Sequence, residues 1–220
     1  MQIASGSLYG IVDPSRLAHR HNAVDFTGGI IDGGASIIQL RDKQGTARET
    51  CELGRRLREV CVHHDALFIV NDRLDIALAT GADGVHLGPH DVPVEAARSI
   101  VDDEFIIGGS AGTPDVASGL ERQGADYLGV GAVYEARSSK SDASPPRGPE
   151  AISAVVAAVD IPVVGIGGID ETNASEVVEH GAAGVAVISA LSDTDDPTAA
   201  ARRLILSLRR PVAPDRRAER

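Results

Sequence analysis

The 220 residues suffice for one domain, because an eight-stranded α/β barrel commonly occupies about 200 to 250 residues around a single core. A formal charge of −11 repels phosphate backbones and anionic membranes, and three Tyr, three Phe and no Trp offer few platforms for base stacking, so no nucleic-acid partner is expected. No apolar run approaches the roughly 18 residues of a membrane span and no signal-peptide pattern opens the chain, which predicts a cytoplasmic protein with no membrane partner.

Taken in chain order, short aliphatic runs occur at 8–12, 36–40, 67–70, 84–87, 105–108, 127–130, 163–166 and 185–188. Between them lie segments of helical periodicity. One covers residues 47–63, with Leu53, Leu57 and Val60 on one side, and another covers 93–101 and opens with Pro93. Eight βα units without a long polar break predict a closed (β/α)8 TIM barrel, an α/β fold with one domain at 1–209 and a frayed tail at 210–220. Gly-Ala-Asp or a near variant precedes four strands, at 34–36, 81–83, 124–126 and 181–183, where each glycine caps a helix C-terminus. Cys51 and Cys61 fall on one helix about 15 Å apart, too far for a disulfide. The connection 131–148 is long, polar and rich in Ser and Pro, and follows the sixth strand, so it is the expected lid.

In a parallel barrel the strand C-termini converge on one mouth, so polar residues that close each apolar run are the candidate chemistry. The second run closes with Gln39, Arg41 and Lys43 at alternate positions: an amide and two cations suited to an anionic oxygen cluster such as a pyrophosphate. Asn71 and Asp72 follow the third run, and His86 and Asp91 the fourth. Asp72 and Asp91 either cap the following helices or share a divalent cation, since Mg2+ takes one or two carboxylates plus substrate oxygens. His86 reads equally as a general base or as a structural histidine. Ser110 after the fifth run can hydrogen-bond a ligand. Gly167 and Gly168 after the seventh, with Ile188 and Ser189 after the eighth, occupy the usual phosphate-binding loops of such barrels.

Together these motifs, Gln39-Leu40-Arg41-Asp42-Lys43, Asn71-Asp72-Arg73, Gly84-Val85-His86-Leu87-Gly88, Asp91, Ile166-Gly167-Gly168-Ile169 and Ile188-Ser189, resemble the thiamine-phosphate synthase family over residues 8–191. The resemblance implies a TIM barrel that joins 4-amino-2-methyl-5-hydroxymethylpyrimidine diphosphate to thiazole phosphate, giving thiamine phosphate and pyrophosphate by a dissociative displacement. It implies Gln39, Arg41, Lys43, Asn71 and Ser110 as pyrimidine diphosphate ligands. Asp72 and Asp91 are implied as Mg2+ ligands, and Gly168, Ile188 and Ser189 as the thiazole phosphate cradle.

Two positions depart from the pattern. Where the family has Pro-Thr-x-Thr-Lys after strand six, this chain reads Tyr134-Glu135-Ala136-Arg137-Ser138-Ser139-Lys140, and one inserted residue brings Lys140 into register. Ser139 then keeps one hydroxyl, Arg137 or Ala136 takes the other position, and Lys140 stands as a catalytic cation. Gly112 occupies a position where the family often carries His. The related thiazole tautomerase places its acid/base histidine in that segment, and no His lies between His90 and His180, so the synthase is the expected activity. A phosphate-sensing paralogue without turnover is a third reading, and a homo-oligomer is compatible with the sequence.

Overall fold

The computed structural model describes residues 3–17, 20–135 and 145–209. Eight parallel strands close into one barrel in sequence order: β1 (Ser7–Val12), β2 (Ile37–Leu40), β3 (Leu67–Asn71), β4 (Gly84–Leu87), β5 (Ile106–Ser110), β6 (Tyr127–Val130), β7 (Val163–Ile166) and β8 (Gly184–Val187). The first and last strands pair, Tyr9 with Ala186 and Gly10 with Val187. The expected runs coincide with these strands to within two residues; the largest difference is β5, which extends to Ser110 and carries that side chain to the barrel mouth. The helix over Ala47–His63 has the expected bounds, opened by a capping box between Thr46 and Glu49. The segment expected as a helix over 93–101 is helical only over Val94–Arg98, with Pro93 as its N-cap. Among the described residues, no helix is long and apolar enough to cross a membrane.

Strand alternation sorts the side chains into two layers. Leu8 and Val12 of β1, Ile38 and Leu40 of β2, and Phe68 and Val70 of β3 face outward, where they pack with helix residues Phe26, Ile30, Leu57 and Ala77. Tyr9, Ile11, Ile37, Leu67, Ile69, Tyr127, Val164 and Ala186 fill the barrel interior. Residues of period two thus bury both faces of the sheet, which is why the strands read as nearly continuous apolar runs. Cys61 lies in the outer layer, where burial pushes its thiol up to about 12, while Cys51 is half-buried on the same helix; both are free.

The repeated Gly-Ala-Asp motif works at the opposite end of the barrel from the mouth. Gly34, Gly81, Gly124 and Gly181 all adopt positive φ, between 65° and 110°, so each turns the chain from helix to strand in a region closed to most side chains. The carboxylates of the second and third repeats then clamp the preceding strand: Asp83 accepts from the Phe68 amide and Asp126 from the Ile107 amide, both at 2.7 Å. These bonds stagger neighbouring strand starts and hold the register that aims the C-terminal ends at one mouth.

Candidate active site

At the mouth, a cavity of about 160 Å³ is lined by Tyr9, Ile11, Gln39, Arg41, Asn71, His86, Ser110, Tyr127, Gly129, Val164, Ile166, Ala186 and Ile188. That volume is of the order that admits a single six-membered ring. The walls are unequal. Residues from β2 through β6 supply most of its polar groups, while β7, β8 and Ile11 supply an apolar face. Five residues expected from sequence, Gln39, Arg41, Asn71, Ser110 and Ile188, therefore meet in one pocket.

Gln39 is buried inside the barrel and donates from Nε2 to the Tyr9 hydroxyl at 2.8 Å. Tyr9 and Tyr127 hydroxyls lie 2.9 Å apart; Tyr127 Oη is 3.0 Å from His86 Nδ1, and His86 Nε2 is 3.0 Å from Ser110 Oγ. Burial raises the pKa of both phenols, so both remain protonated. Burial likewise drives His86 down to about 4, against a weaker upward pull from Asp72, so the imidazole is neutral at pH 7. Two glycines create this space. A Cβ on Gly108 would lie 2.2 Å from the Tyr127 ring, and one on Gly129 would lie 3.0 Å from the His86 ring. The histidine considered as a base is instead held between two hydroxyls.

The depressed His86 pKa has a consequence for stability. Between about pH 6.5 and pH 4 the unfolded chain binds a proton at this residue that the folded chain refuses, so stability is full above pH 6.5 and falls as pH is lowered through that window. The slope contributed is at most about 1.4 kcal/mol per pH unit. Urea midpoints measured from pH 7 to pH 4 are expected to fall less steeply in His86→Gln than in the parent; identical slopes would show that this ring does not titrate with unfolding.

Arg41 donates to Asp13 at 2.7 Å, and Asp13, at 3% exposure, is held in turn by the Ser15 hydroxyl at 2.6 Å. Because β2 ends at Leu40, Lys43 is not carried by the strand alternation that predicted it. It reaches the rim through the following turn and pairs there with Asp72. Asp72 adopts φ 64°, a left-handed conformation that Asp tolerates better than most residues, and its amide donates to the His86 carbonyl at 2.8 Å. Asp91 lies within hydrogen-bonding range of Asp72 and accepts from the Gly88 amide at 2.7 Å. Burial raises the Asp91 pKa; the Gly88 amide lowers it, and the Asp72 carboxylate raises it again.

Neither carboxylate is a helix cap. The helix Leu74–Thr80 has Arg73 at its N-cap, and Val94–Arg98 has Pro93, both without a side-chain cap bond. Lys43, Asp72 and Asp91 instead form a rim cluster that leaves two carboxylates side by side, a pair whose repulsion a hard cation relieves. Among the described residues no group of three or more His, Cys, Asp and Glu converges, so a metal held here takes its remaining ligands from substrate or water.

Gly168 follows β7 at φ 66°, and a Cβ there would lie 2.7 Å from the carbonyl oxygens of Tyr134 and Glu135. The glycine is thus required by the packing of the β6 connection, whose Tyr134 amide donates to the Gly167 carbonyl at 3.0 Å. Ser189 opens the short helix Ser189–Ser192, after Ile188, which lines the pocket. Gly168 and Ser189 do not themselves line the cavity. Gly112 leaves room for Arg147, which donates to the Gly112 carbonyl at 3.0 Å and would lie 2.8 Å from an added Cβ. Arg137, Ser139 and Lys140 lie outside the described residues.

Sequence reasoning passed over Tyr9, Tyr127 and Asp13. The signal for the first two was present: an aromatic at the inward position of a mostly aliphatic strand, with Tyr127 opposite Gly108. Asp13, one residue past β1, was readable by the same rule that selected Arg41.

A family profile described as thiamine monophosphate synthase matches residues 8–191. The thiamine-phosphate synthase of Moorella thermoacetica is 50% identical over 194 residues, 88% of this chain and 92% of that protein. The corresponding protein of Haloquadratum walsbyi is 47% identical over 197 residues, covering 89% and 88%. Among solved structures, thiamine phosphate pyrophosphorylase from Pyrococcus furiosus superposes with a TM-score of 0.83 at 40% identity, covering 92% of this chain and 95% of that one. 3-Hexulose-6-phosphate synthase, at 17% identity and a TM-score of 0.67, shares the fold alone. With the match extending across all eight strands, the chain belongs to the thiamine monophosphate synthase family.

Proposed function

We propose that this chain is a transferase that joins hydroxymethylpyrimidine diphosphate to thiazole phosphate, releasing pyrophosphate and forming thiamine phosphate. The observation that carries the reading is the meeting of Gln39, Arg41, Asn71 and Ser110 in one ring-sized pocket beneath the Lys43–Asp72–Asp91 rim. The relatives of similar length and about 50% identity, themselves thiamine-phosphate synthases, support it.

The pyrimidine ring enters between the polar wall and Val164, Ile166 and Ile188, with its diphosphate at the rim. Arg41, oriented by Asp13, offers a fork of donors to the leaving oxygens, and Lys43 adds a compact charge. Asp72 and Asp91 are the residues that would hold Mg2+, which when bound supplies positive charge to the departing pyrophosphate. The carbon–oxygen bond to the diphosphate breaks as charge grows on the leaving group, and the enclosed ring keeps its methylene cation from water until the thiazole nitrogen captures it. Gly168, Ile188 and Ser189 form the thiazole phosphate cradle, with Arg137 and Ser139 as its further contacts. Lys140 is taken as a further catalytic cation, and Lys140→Ala is expected to lower turnover with little change in melting temperature. No protein nucleophile is needed. We place the reaction in the cytoplasm, on small-molecule substrates only.

The purified protein, given both substrates, is expected to form thiamine phosphate with Mg2+ and to stop with a chelator. Absence of product under both conditions, with each substrate still binding, would replace the synthase by a sensing role.

A further inference from the structure

We propose that Tyr9, Tyr127 and His86 are positioning residues whose one-way hydrogen-bond chain fixes Gln39 as an acceptor and Ser110 as a donor, so that the pocket selects a ring edge with an amino group beside a bare ring nitrogen. The inference rests on the pyrimidine reading above for its ligand, but the order of the chain follows from its atoms.

The Gln39 amide nitrogen donates to the Tyr9 oxygen at 2.8 Å. The Tyr9 proton then goes to its other partner, the Tyr127 oxygen at 2.9 Å. Tyr127 in turn gives its proton to His86 Nδ1 at 3.0 Å, which fixes that nitrogen as the bare one. The single N–H of a neutral imidazole is left on Nε2 and points at Ser110 Oγ, 3.0 Å away. Ser110 therefore receives a hydrogen bond from the protein and keeps its own proton for the cavity it lines; Gln39, its nitrogen turned toward Tyr9, has Oε1 left to accept from a ligand in the same cavity. Both tyrosines are 2% exposed, so water does not compete for their hydroxyls and each link constrains the next.

An aminopyrimidine matches this wall, its amino group donating to Gln39 and its ring nitrogen accepting from Ser110. The oxo analogue presents a carbonyl and an N–H in those places and meets both groups in the wrong sense. Leaving two buried polar contacts mismatched is expected to weaken binding by at least about a hundredfold.

Two measurements on the full chain test this. In protein labelled with 15N-histidine, with the His86 resonances assigned by their loss in His86→Gln, long-range correlation spectra are expected to show protonated Nε2 and bare Nδ1. A protonated Nδ1 would overturn the proposal whatever the substrate. Inhibition constants for the amino and oxo pyrimidine diphosphates are then compared in the parent, Tyr9→Phe and Tyr127→Phe, the two variants guarding against one that fails to fold. The preference for the amino compound is expected to drop at least about tenfold in each folded variant, because the Ser110 and Gln39 dipoles become free to reverse, while affinity for thiazole phosphate stays unchanged. Equal weakening of both compounds would reduce the tyrosines to packing and sink the idea. The expected tautomer in a protein that forms no thiamine phosphate would uphold the chain and reject the synthase reading alone.

Discussion

Replacing Asp91 by Asn is expected to lower thiamine phosphate formation by on the order of a hundredfold or more, while the folded protein keeps nearly its full stability. The two effects separate because of what the carboxylate does in each setting. In the fold, Asp91 accepts a single backbone hydrogen bond, from Gly88 at 2.7 Å, and lies against the like-charged Asp72. An amide oxygen accepts the same bond and removes the repulsion, so a change of no more than about 1 kcal/mol in unfolding free energy is expected. In the working site the same charge is half of the pair that would hold Mg2+ against the diphosphate. Asp72→Asn is the companion variant, chosen over Ala because Asn also tolerates the φ of 64° found there. Turnover against Mg2+ concentration, beside melting curves, is the measurement. Parent-like turnover in both variants would remove the metal from Asp72 and Asp91.

Arg41→Ala is expected to damage both the fold and the chemistry, and a double variant tells the two apart. The guanidinium partners an Asp13 that is 3% exposed, so its loss strands a buried carboxylate, at a cost of about 3–5 kcal/mol. It also takes a fork of donors from the mouth. Arg41→Ala combined with Asp13→Asn neutralises the stranded charge and is expected to regain much of the lost stability, as read by urea unfolding, with activity still depressed. If activity returns with stability, Arg41 acts on the substrate only through the fold. Arg41→Lys keeps the charge without the fork and is expected to fall between the parent and Arg41→Ala in turnover.

Much of this architecture was legible before any coordinates, for a local reason. Each βα unit carries its own punctuation, and Gly81-Ala82-Asp83 or Gly124-Ala125-Asp126 marks a strand start as plainly as the apolar run behind it. Gln39 was readable because alternation within β2 sends it inward, and Arg41, one residue past the strand, continues that alternation into the pocket. Lys43 reached the site for a reason the sequence reading did not use, since the strand had already ended. The linkage of Gln39 to Ser110 was not legible. It passes through three side chains on β1, β6 and β4, and no spacing along one chain encodes a contact between Tyr9 and Tyr127, 118 positions apart. Asp13 met the same positional rule as Arg41, but the burial that gives it weight is not written in the sequence.

The pairing of β1 with β8 carries a consequence for synthesis. Of the eight barrel strands, the first to leave the ribosome is the last to find its second neighbour, because that neighbour lies beyond residue 183. Throughout elongation the nascent sheet holds two unsatisfied edges, along β1 and along whichever strand emerged most recently, both made of aliphatic sequence. Such edges recruit other chains unless they are shielded. A chain released before Gly184 keeps them permanently, so premature termination yields sticky open sheets rather than shorter enzymes. A permutein that joins the termini and opens a surface connection instead moves that waiting period to another pair of strands without altering the finished cylinder.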